Sequence, residues 1–264
     1  MKNMILSHLP GTFPWQVHWF DTIDSTNTRA KEMARSGAPH GTVLVAGHQT
    51  QGRGRMGRSF SSPKDLGIYL SVILRPNCAA EQLMHLTCAA AVAMCDATEN
   101  TAGIRPKIKW INDLVVNSKK LGGILTELSL VPGSDRVEYA IVGIGINCNQ
   151  TPADFPEEIR SIATSLLQIT GNTPDRSALA AAMIHALMDM DSKLLYQQNT
   201  IMDSYRKNCI TLGKEVVVLR GDKKRCGTAL DVDCSGGLLV RFAGGKEETV
   251  SSGEVSVRGL YGYV

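Results

Sequence analysis

Hydrophobic patterning in the first part of the chain predicts several short strands and one long helix. The apolar and β-branched run at 42–46 predicts a strand, and LGIYLSVIL at 66–74 predicts a second strand that Pro76 ends. Apolar positions at helical spacing within 79–100 predict a buried helix that packs on the sheet. Further apolar segments bounded by turn residues predict strands at 107–110, 114–117, 121–130 and 139–147. Strands near both ends of one helix indicate a mixed α+β sheet flanked by helices.

The pattern changes towards the C-terminus. Residues 177–197 and 201–208 have the apolar spacing of helices, and the first of these is amphipathic. Beyond Gly213 the pattern predicts short strands with Gly and Asp turns and no helix, at 215–219, 225–232, 237–242 and 247–250. We therefore predict two domains, a large one at 1–211 and a small β-barrel at 212–264.

Composition excludes several classes of protein. The chain has 264 residues, of which 43% are hydrophobic and 20% charged, so it is long and apolar enough to bury a sizeable core. A formal net charge of +3 gives no reason to expect nucleic acid or an anionic membrane as the partner. The seven cysteines are an odd number without a CxxC pair, so we expect neither a zinc site nor a disulfide framework. No apolar stretch is long enough to span a bilayer. We expect a cytoplasmic protein.

One loop interleaves three glycines with three arginines directly after the first predicted strand, at 51–58. Glycines let the backbone approach a ligand closely, and arginine forks bind carboxylate or phosphate oxygens. The alternative is a solvated arginine loop, and the composition favours anion binding only slightly. A predicted helix does not follow the loop and the Gly-Lys-Ser/Thr ending is absent, which disfavours dinucleotide-binding and Walker sites.

Two further segments combine polar residues with strand ends. Lys109, Asn112 and Asp113 in KWIND (109–113) are suited to phosphate, a base edge, and a metal ion or ribose, although Asn-Asp is also ordinary turn chemistry. In SKKLGGILTE (118–127), Gly122 and Gly123 interrupt an apolar run. Such glycines mark a bulge or close approach to a ligand, and the residues alone do not separate these two interpretations.

The remaining two segments also allow a structural and a functional interpretation. In VGIGIN (142–147), Gly143 and Gly145 expose backbone on one face of a strand. This pattern predicts either that a flat ligand or another sheet lies on that face, or that the face packs in the core against a helix. DSTN (24–27) predicts the N-cap of a helix at 28–36, although its hydroxyls would serve a ligand equally well.

Taken together, the five segments resemble the biotin-protein ligase family. That family has, in this order, a DSTN helix cap, a GRGRxGR loop, a KWPND turn, a KLxGIL strand and a GxGxN strand. The resemblance covers roughly residues 15–150. It implies a class II synthetase-like catalytic domain. The C-terminal segment is similar to the family's SH3-like barrel only in its position and in its pattern of short strands.

The resemblance implies an ATP-dependent ligase that forms biotinyl-5'-AMP and passes biotin to a lysine of a biotin carboxyl carrier domain. Biotin and ATP are the implied substrates and Mg²⁺ the counter-ion. A lipoate-protein ligase remains the nearest alternative because it shares the architecture and the adenylation chemistry. A non-enzymatic RNA-binding module is a further alternative, with Phe242 and Tyr261 or Tyr263 as its only stacking platforms in the barrel.

The resemblance also assigns roles to residues of this chain. Lys120 and Arg55 are the implied catalytic residues, and Asp113 the implied magnesium ligand. Biotin would be bound by Ser25, Thr26, Asn27, Gln49, Gly52, Arg53, Gly54, Arg55, Lys120, Gly123, Leu125, Gly143 and Gly145. ATP would be bound by Arg55, Arg58, Lys109, Trp110, Asn112, Asp113, Lys120 and Asn147.

The sequence departs from the family pattern in two places. Ile111 stands where the family usually has proline, while Lys109, Asn112 and Asp113 keep their places. Only about twenty residues precede Asp24, too few for the winged-helix domain that makes some members DNA-binding repressors. We therefore expect a monofunctional ligase with no DNA binding.

Overall fold

A seven-stranded mixed sheet forms the centre of the large domain. The computed structural model describes residues 1–221, 223–251 and 256–259. The strands are β1 (Gln16–Phe20), β2 (Thr42–Ala46), β3 (Gly67–Leu74), β4 (Lys107–Lys109), β5 (Asp113–Val116), β6 (Lys119–Leu130) and β7 (Val137–Asn147). Their order is β1-β2-β3-β7-β6-β5-β4. Only the β1–β2 pair is parallel, so the predicted mixed α+β architecture is confirmed.

Helices cover both faces of this sheet. They are α1 (Lys2–Ser7), α2 (Thr26–Arg35), α3 (Leu86–Ala102), α4 (Glu157–Arg160), α5 (Leu166–Thr170), α6 (Arg176–Lys193) and α7 (Gln198–Asn208). No helix among the described residues is long and apolar enough to cross a membrane.

Strand alternation separates two cores. On β3 and β7, residues such as Leu70 and Ile144 belong to the large core that also contains the buried residues of α3 and α6. Residues of the opposite parity, such as Ile73 and Ile141, pack with Ala30 of α2 in a smaller core. Because the smaller core covers only part of its face, α2 leaves room beside it for a cavity.

The C-terminal residues form a separate antiparallel sheet. Its strands are β8 (Glu215–Arg220), β9 (Lys223–Val232), β10 (Leu238–Phe242), β11 (Glu247–Val250) and β12 (Ser256–Gly259), in the order β11-β10-β9-β8-β12. The β-rich C-terminal segment is thus confirmed. Closure into a barrel and a boundary near residue 212 stay predictions, and Tyr261 and Tyr263 lie outside the described residues.

Several predicted elements require correction. The helix predicted at 79–100 begins at Leu86, after a 3-10 turn at Ala80–Leu83, because the Gln82 side chain accepts a hydrogen bond from Ala79 N and closes a separate turn. The helix predicted at 28–36 begins two residues earlier, at Thr26. The sequence interpretation missed α1, β1, α4, α5 and β12; β1 is an edge strand with one buried residue and no clear alternation.

Candidate active site

A cavity of about 680 Å³ lies on the face of the sheet that carries α2. All of the predicted site residues except Gly52 and Asn147 line it. They are Ser25, Thr26, Asn27, Gln49, Arg53, Gly54, Arg55, Arg58, Lys109, Trp110, Asn112, Asp113, Lys120, Gly123, Leu125, Gly143 and Gly145. Five segments that are far apart in sequence therefore meet around one space.

Gly143 and Gly145 make room for other side chains of the protein. A Cβ atom at Gly143 would lie 1.8 Å from Asn27 Oδ1, and one at Gly145 would lie 2.4 Å from Phe60 Cε1. The Asn27 amide and the Phe60 ring therefore lie directly on the glycine backbone of β7. A ligand in the cavity would meet these two side chains as well as the strand.

The positively charged side of the cavity is built on the β4–β5–β6 hairpins. Lys120 Nζ donates to Asp113 Oδ1 at 2.6 Å. Arg55 Nη1 donates to Asn112 Oδ1 at 3.1 Å, and Asn112 Nδ2 donates to Ile124 O at 2.8 Å. The glycine–arginine loop is thereby attached to the KWIND turn, which is itself attached to β6.

Burial shifts the pKa of Arg55 without removing its charge. It lowers the pKa of the guanidinium, nearby Arg58 lowers it further, and the attraction of Asp113 opposes both. A guanidinium remains protonated at neutral pH despite such a shift. Arg55 is therefore a partly desolvated cation, and a desolvated cation interacts more strongly with an incoming anion than a solvated one does.

Glu127, which the sequence interpretation did not single out, anchors the first arginine of the loop. Arg53 reaches both carboxylate oxygens at 3.2 Å, Lys31 Nζ approaches within 2.5 Å, and Asn27 Nδ2 donates at 2.9 Å. Burial alone would raise the pKa of Glu127, but hydrogen bonds from Lys31 and Asn27 outweigh it and lower the pKa. Glu127 is therefore an anion shared by three donors.

A chain of hydroxyl and amide groups lies beneath α2. Ser25 occupies the predicted N-cap position, but its side chain makes no capping hydrogen bond, which corrects the expected capping role. Gln49 replaces it: Gln49 Oε1 accepts from Thr26 N at 2.8 Å and from Thr26 Oγ1 at 3.0 Å. Gln49 Nε2 donates to Ser62 Oγ at 2.9 Å, so protein groups hold both the oxygen and the nitrogen of the Gln49 amide.

Trp110 connects the cavity to the C-terminal sheet. Its backbone N–H donates to Thr211 Oγ1 and its indole Nε1 donates to Gly236 O, each at 2.9 Å. Tyr205 donates to the carbonyl of Ile111, the residue that replaces proline, and the Trp110–Ile111 peptide bond is cis. The KWIND turn is thus held by Tyr205 of α7, by Thr211 and by the Gly236 turn of the C-terminal sheet.

Two predicted contacts do not reach the cavity wall. Asn147 is 5% exposed; its amide donates to Thr164 O at 2.9 Å and accepts from Gln150 at 3.2 Å, so protein groups occupy it. Gly52 is buried, and a Cβ there would lie 2.3 Å from Phe60 O. The role of Gly52 is to let two backbone segments of the loop approach each other closely.

Several lining residues were not predicted. They are Met56, Ser59, Phe60, Ile124, Ile144 and Ile162. Ile124 and Ile144 are neighbours of the predicted glycines along their strands. The hydrophobic pattern indicated only that they belong to strands and did not indicate that they line a cavity. Ile162 reaches the site because Lys120 N donates to Ile162 O at 2.7 Å, a long-range contact that no local pattern indicates.

Comparison with known proteins identifies the family. Residues 19–147 match the Biotin/lipoate A/B protein ligase family, and residues 211–258 match the Biotin protein ligase C terminal domain. The bifunctional ligase/repressor BirA of Bacillus subtilis is 37% identical over 238 residues, which is 89% of this chain and 72% of that protein. The chain belongs to the biotin-protein ligase family.

Other biotin-protein ligases agree with this assignment. The biotin–acetyl-CoA-carboxylase ligase of Mycobacterium tuberculosis is 33% identical, over 88% of this chain and 85% of that protein. A structure of the Aquifex aeolicus biotin protein ligase in complex with biotin and ATP is 32% identical, has a TM-score of 0.78, and covers 94% of this chain and 100% of that one. The expected fold and the assignment to the ligases are therefore confirmed.

Proposed function

We propose that this chain activates biotin with ATP as biotinyl-5'-AMP and transfers the biotinyl group to a lysine of a carboxyl carrier domain. One observation supports this most directly. Lys120 and Arg55 line the same cavity as Asn112 and Asp113, and the polar side chains of Thr26 and Asn27 at the start of α2 line it too. A pocket that combines an acceptor-rich floor with fixed cations is suited to an acid and a nucleotide phosphate held side by side.

Relatives support the choice of substrate. The Aquifex aeolicus protein was solved with biotin and ATP, and the Leishmania major biotin protein ligase, 27% identical to this chain, was solved with biotinyl-5-AMP. The family description covers both biotin and lipoate, but the C-terminal match is to the biotin enzymes. Biotin is therefore the favoured acid.

In the proposed first step the biotin carboxylate attacks the α-phosphorus of ATP, and pyrophosphate leaves. Negative charge on the phosphoryl oxygens is stabilised by fixed cations, which need no reorganisation at the moment of reaction. Lys120 and Arg55 are the groups that we assign to this charge. Lys120 must transfer a hydrogen bond from Asp113 to the ligand, since the two are paired at 2.6 Å.

In the second step an unprotonated carrier lysine attacks the carbonyl carbon of the mixed anhydride. The C–N bond forms as the C–O bond to AMP breaks, and the amine proton leaves to solvent. A covalent enzyme intermediate is not required. Arg53 and Arg55 would hold the leaving AMP phosphate, and their present partners Glu127 and Asn112 are groups that an anion can displace.

Asp113 is the carboxylate among the described cavity-lining residues that is suited to magnesium. Among the described residues, no cluster of three His, Cys, Asp or Glu side chains forms a metal site by itself. Mg²⁺ is usually held by one or two carboxylates together with substrate phosphates, and Asp113 in the cavity wall fits that arrangement. Magnesium bound with ATP would neutralise phosphate charge, and Asp113 would fix its position.

Biotin-dependent exchange of labelled pyrophosphate into ATP tests this function. We expect exchange with biotin and none with lipoate. A thermal shift with each acid plus ATP and Mg²⁺ gives a second readout, because a ligand that binds only the native state stabilises it. Exchange with lipoate alone would assign the chain to the lipoate enzymes, and no exchange with either acid would reject the proposal.

A further inference from the structure

Ser71 lies at the centre of β3, directly under the cavity floor, and is 0% exposed. It is the residue that joins the two polar side chains at the start of α2. Its hydroxyl lies 2.6 Å from Asn27 Oδ1 and 2.8 Å from Thr26 Oγ1. The strand around it is otherwise apolar, so a buried hydroxyl here needs these partners.

The contacts of Asn27 fix which way its amide points. Asn27 Nδ2 faces two acceptors, Glu127 Oε2 at 2.9 Å and Leu125 O at 3.3 Å. Because neither of these oxygens carries a proton, the NH₂ group must point towards them. Asn27 Oδ1 then faces Ser71, and the Ser71 hydroxyl must donate to it.

The hydroxyl proton of Thr26 is also directed into the protein. Thr26 Oγ1 has two acceptors in reach, Gln49 Oε1 at 3.0 Å and Ser71 Oγ at 2.8 Å, and the Ser71 proton is committed to Asn27. Whichever acceptor Thr26 chooses, its proton stays inside the network. Asn27 therefore presents no N–H to the cavity that it lines, and Thr26, whose proton has an acceptor within the network, can offer a lone pair there.

We propose that Ser71 is a positioning residue that keeps Thr26 and Asn27 turned so that their part of the cavity floor accepts hydrogen bonds and does not donate them. Such a floor selects a ligand ring that carries N–H donors over a ring without them. This inference rests on the proposed function, because the ureido ring of biotin carries two N–H groups and the dithiolane ring of lipoate carries none. Ser71 acts through its neighbours and need not touch the ligand.

Electrostatics strengthen the same arrangement. The Glu127 carboxylate faces Asn27 Nδ2, and Lys31 and Arg53 compensate its charge. An anion on the NH₂ side polarises the amide and increases the acceptor strength of Oδ1. Ser71 and Glu127 thus hold opposite ends of one amide, which cannot flip without losing both.

The test compares Ser71→Ala with Thr98→Ala. Thr98 is also 0% exposed, and its hydroxyl donates to Met94 O within α3, away from the cavity. Ser71→Ala should weaken biotin binding by about tenfold or more, since Thr26 and Asn27 lose the hydrogen bonds that hold them turned towards the ligand. The KM for biotin should rise while the KM for ATP and kcat at saturating biotin stay near wild type. Thr98→Ala should lose a similar amount of thermal stability with no change in the KM for biotin.

Ser71→Cys supplies a graded variant, because a thiol is a weaker donor of nearly the same shape. We expect its KM for biotin to lie between those of wild type and Ser71→Ala. Equal KM values for biotin in all three would overturn the role of Ser71, as would a parallel rise in the KM for ATP. If wild type itself fails to bind biotin in calorimetry, the proposed function fails instead, so the two failures are distinguishable.

Discussion

Lys120 and Asp113 face each other across the β5–β6 hairpin, with Nζ 2.6 Å from Oδ1. The register that pairs Asp113 with Gly123, together with the bulge between Leu114 and Val115, brings the two side chains onto one side of the hairpin. The lysine is thereby held in the cavity before any ligand arrives. A preplaced cation is what a reaction that develops phosphoryl charge requires.

Lys120→Ala should slow biotin-dependent pyrophosphate exchange by about 100- to 1000-fold, the usual effect of removing one donor to a developing charge. Lys119→Ala is the matched control, because Lys119 is the adjacent, exposed lysine and does not line the cavity. We expect near wild-type exchange from the control. Equal exchange rates in the two variants would remove Lys120 from the catalytic residues.

Arg53→Gly should weaken binding of the adenylate more than binding of free biotin. Arg53 connects the loop to Glu127 through an ion pair. In the adenylate complex we expect the ligand phosphate to take the place of this carboxylate, so Arg53 would stabilise the adenylate more than free biotin. Calorimetry with biotin and with a non-hydrolysable biotinyl-AMP analogue measures both affinities. An equal loss for the two ligands would show that the loop does not respond to the phosphate.

Most residues that line the cavity could be predicted from the sequence, because each segment carries its own local pattern of glycines and polar residues. Gly143 and Gly145 alternate with isoleucines, and this period placed them correctly on one face. The same period places Asn147 on that face, yet Asn147 donates to Thr164 O where the strand ends. This hydrogen bond joins residues 17 positions apart, so it depends on the tertiary structure and cannot be predicted from the alternation of a strand.

Side chains that support the site were harder to predict. Ser71 looks like an ordinary small residue in an apolar strand, and Glu127 looks like an ordinary polar residue of β6. The role of each is evident only in the folded chain, where Asn27 contacts both: Ser71 is 44 positions and Glu127 is 100 positions from Asn27 in the sequence. Sequence patterns report the period of an element, and they contain little information on which distant partner meets it.

Glu127 should make thermal stability depend on pH in the acid range. Its pKa in the folded protein is lowered from the ordinary 4.5, so its stabilising contribution is complete above that value and is lost as the pH falls through the folded pKa. Glu127→Gln lacks the charge at every pH. The Tm of wild type should exceed that of Glu127→Gln at pH 7, and the gap should narrow as the pH falls below about 4.5. A constant gap would contradict the assigned charge.

Trp110→Phe tests the link between the cavity and the C-terminal sheet. The substitution keeps a ring but leaves the buried carbonyl of Gly236 without its indole donor, which should cost about 1–3 kcal/mol of unfolding free energy. Trp19→Phe is the control, because the Trp19 indole donates to the exposed Asp21 and water can replace it. Urea unfolding compares the two, and an equal loss would mean that the Gly236 contact contributes nothing specific.

Gly143→Ala should disturb the cavity floor through Asn27. The added Cβ would lie 1.8 Å from Asn27 Oδ1, so the amide must move, and its contacts with Ser71 and Glu127 must lengthen. We expect biotin affinity to fall more than ATP affinity, since the displaced amide contacts Leu125 of β6 and belongs to the residues assigned to biotin, whereas Lys120 and Asp113 lie beside Gly123. Gly11→Ala is the control, because a Cβ at Gly11 meets no atom within 4 Å. Combining Gly143→Ala with Asn27→Ala gives a sharper result: if the clash is the cause, the double variant binds biotin no more weakly than Asn27→Ala alone, whereas additive losses would show that the glycine backbone itself contacts the ligand.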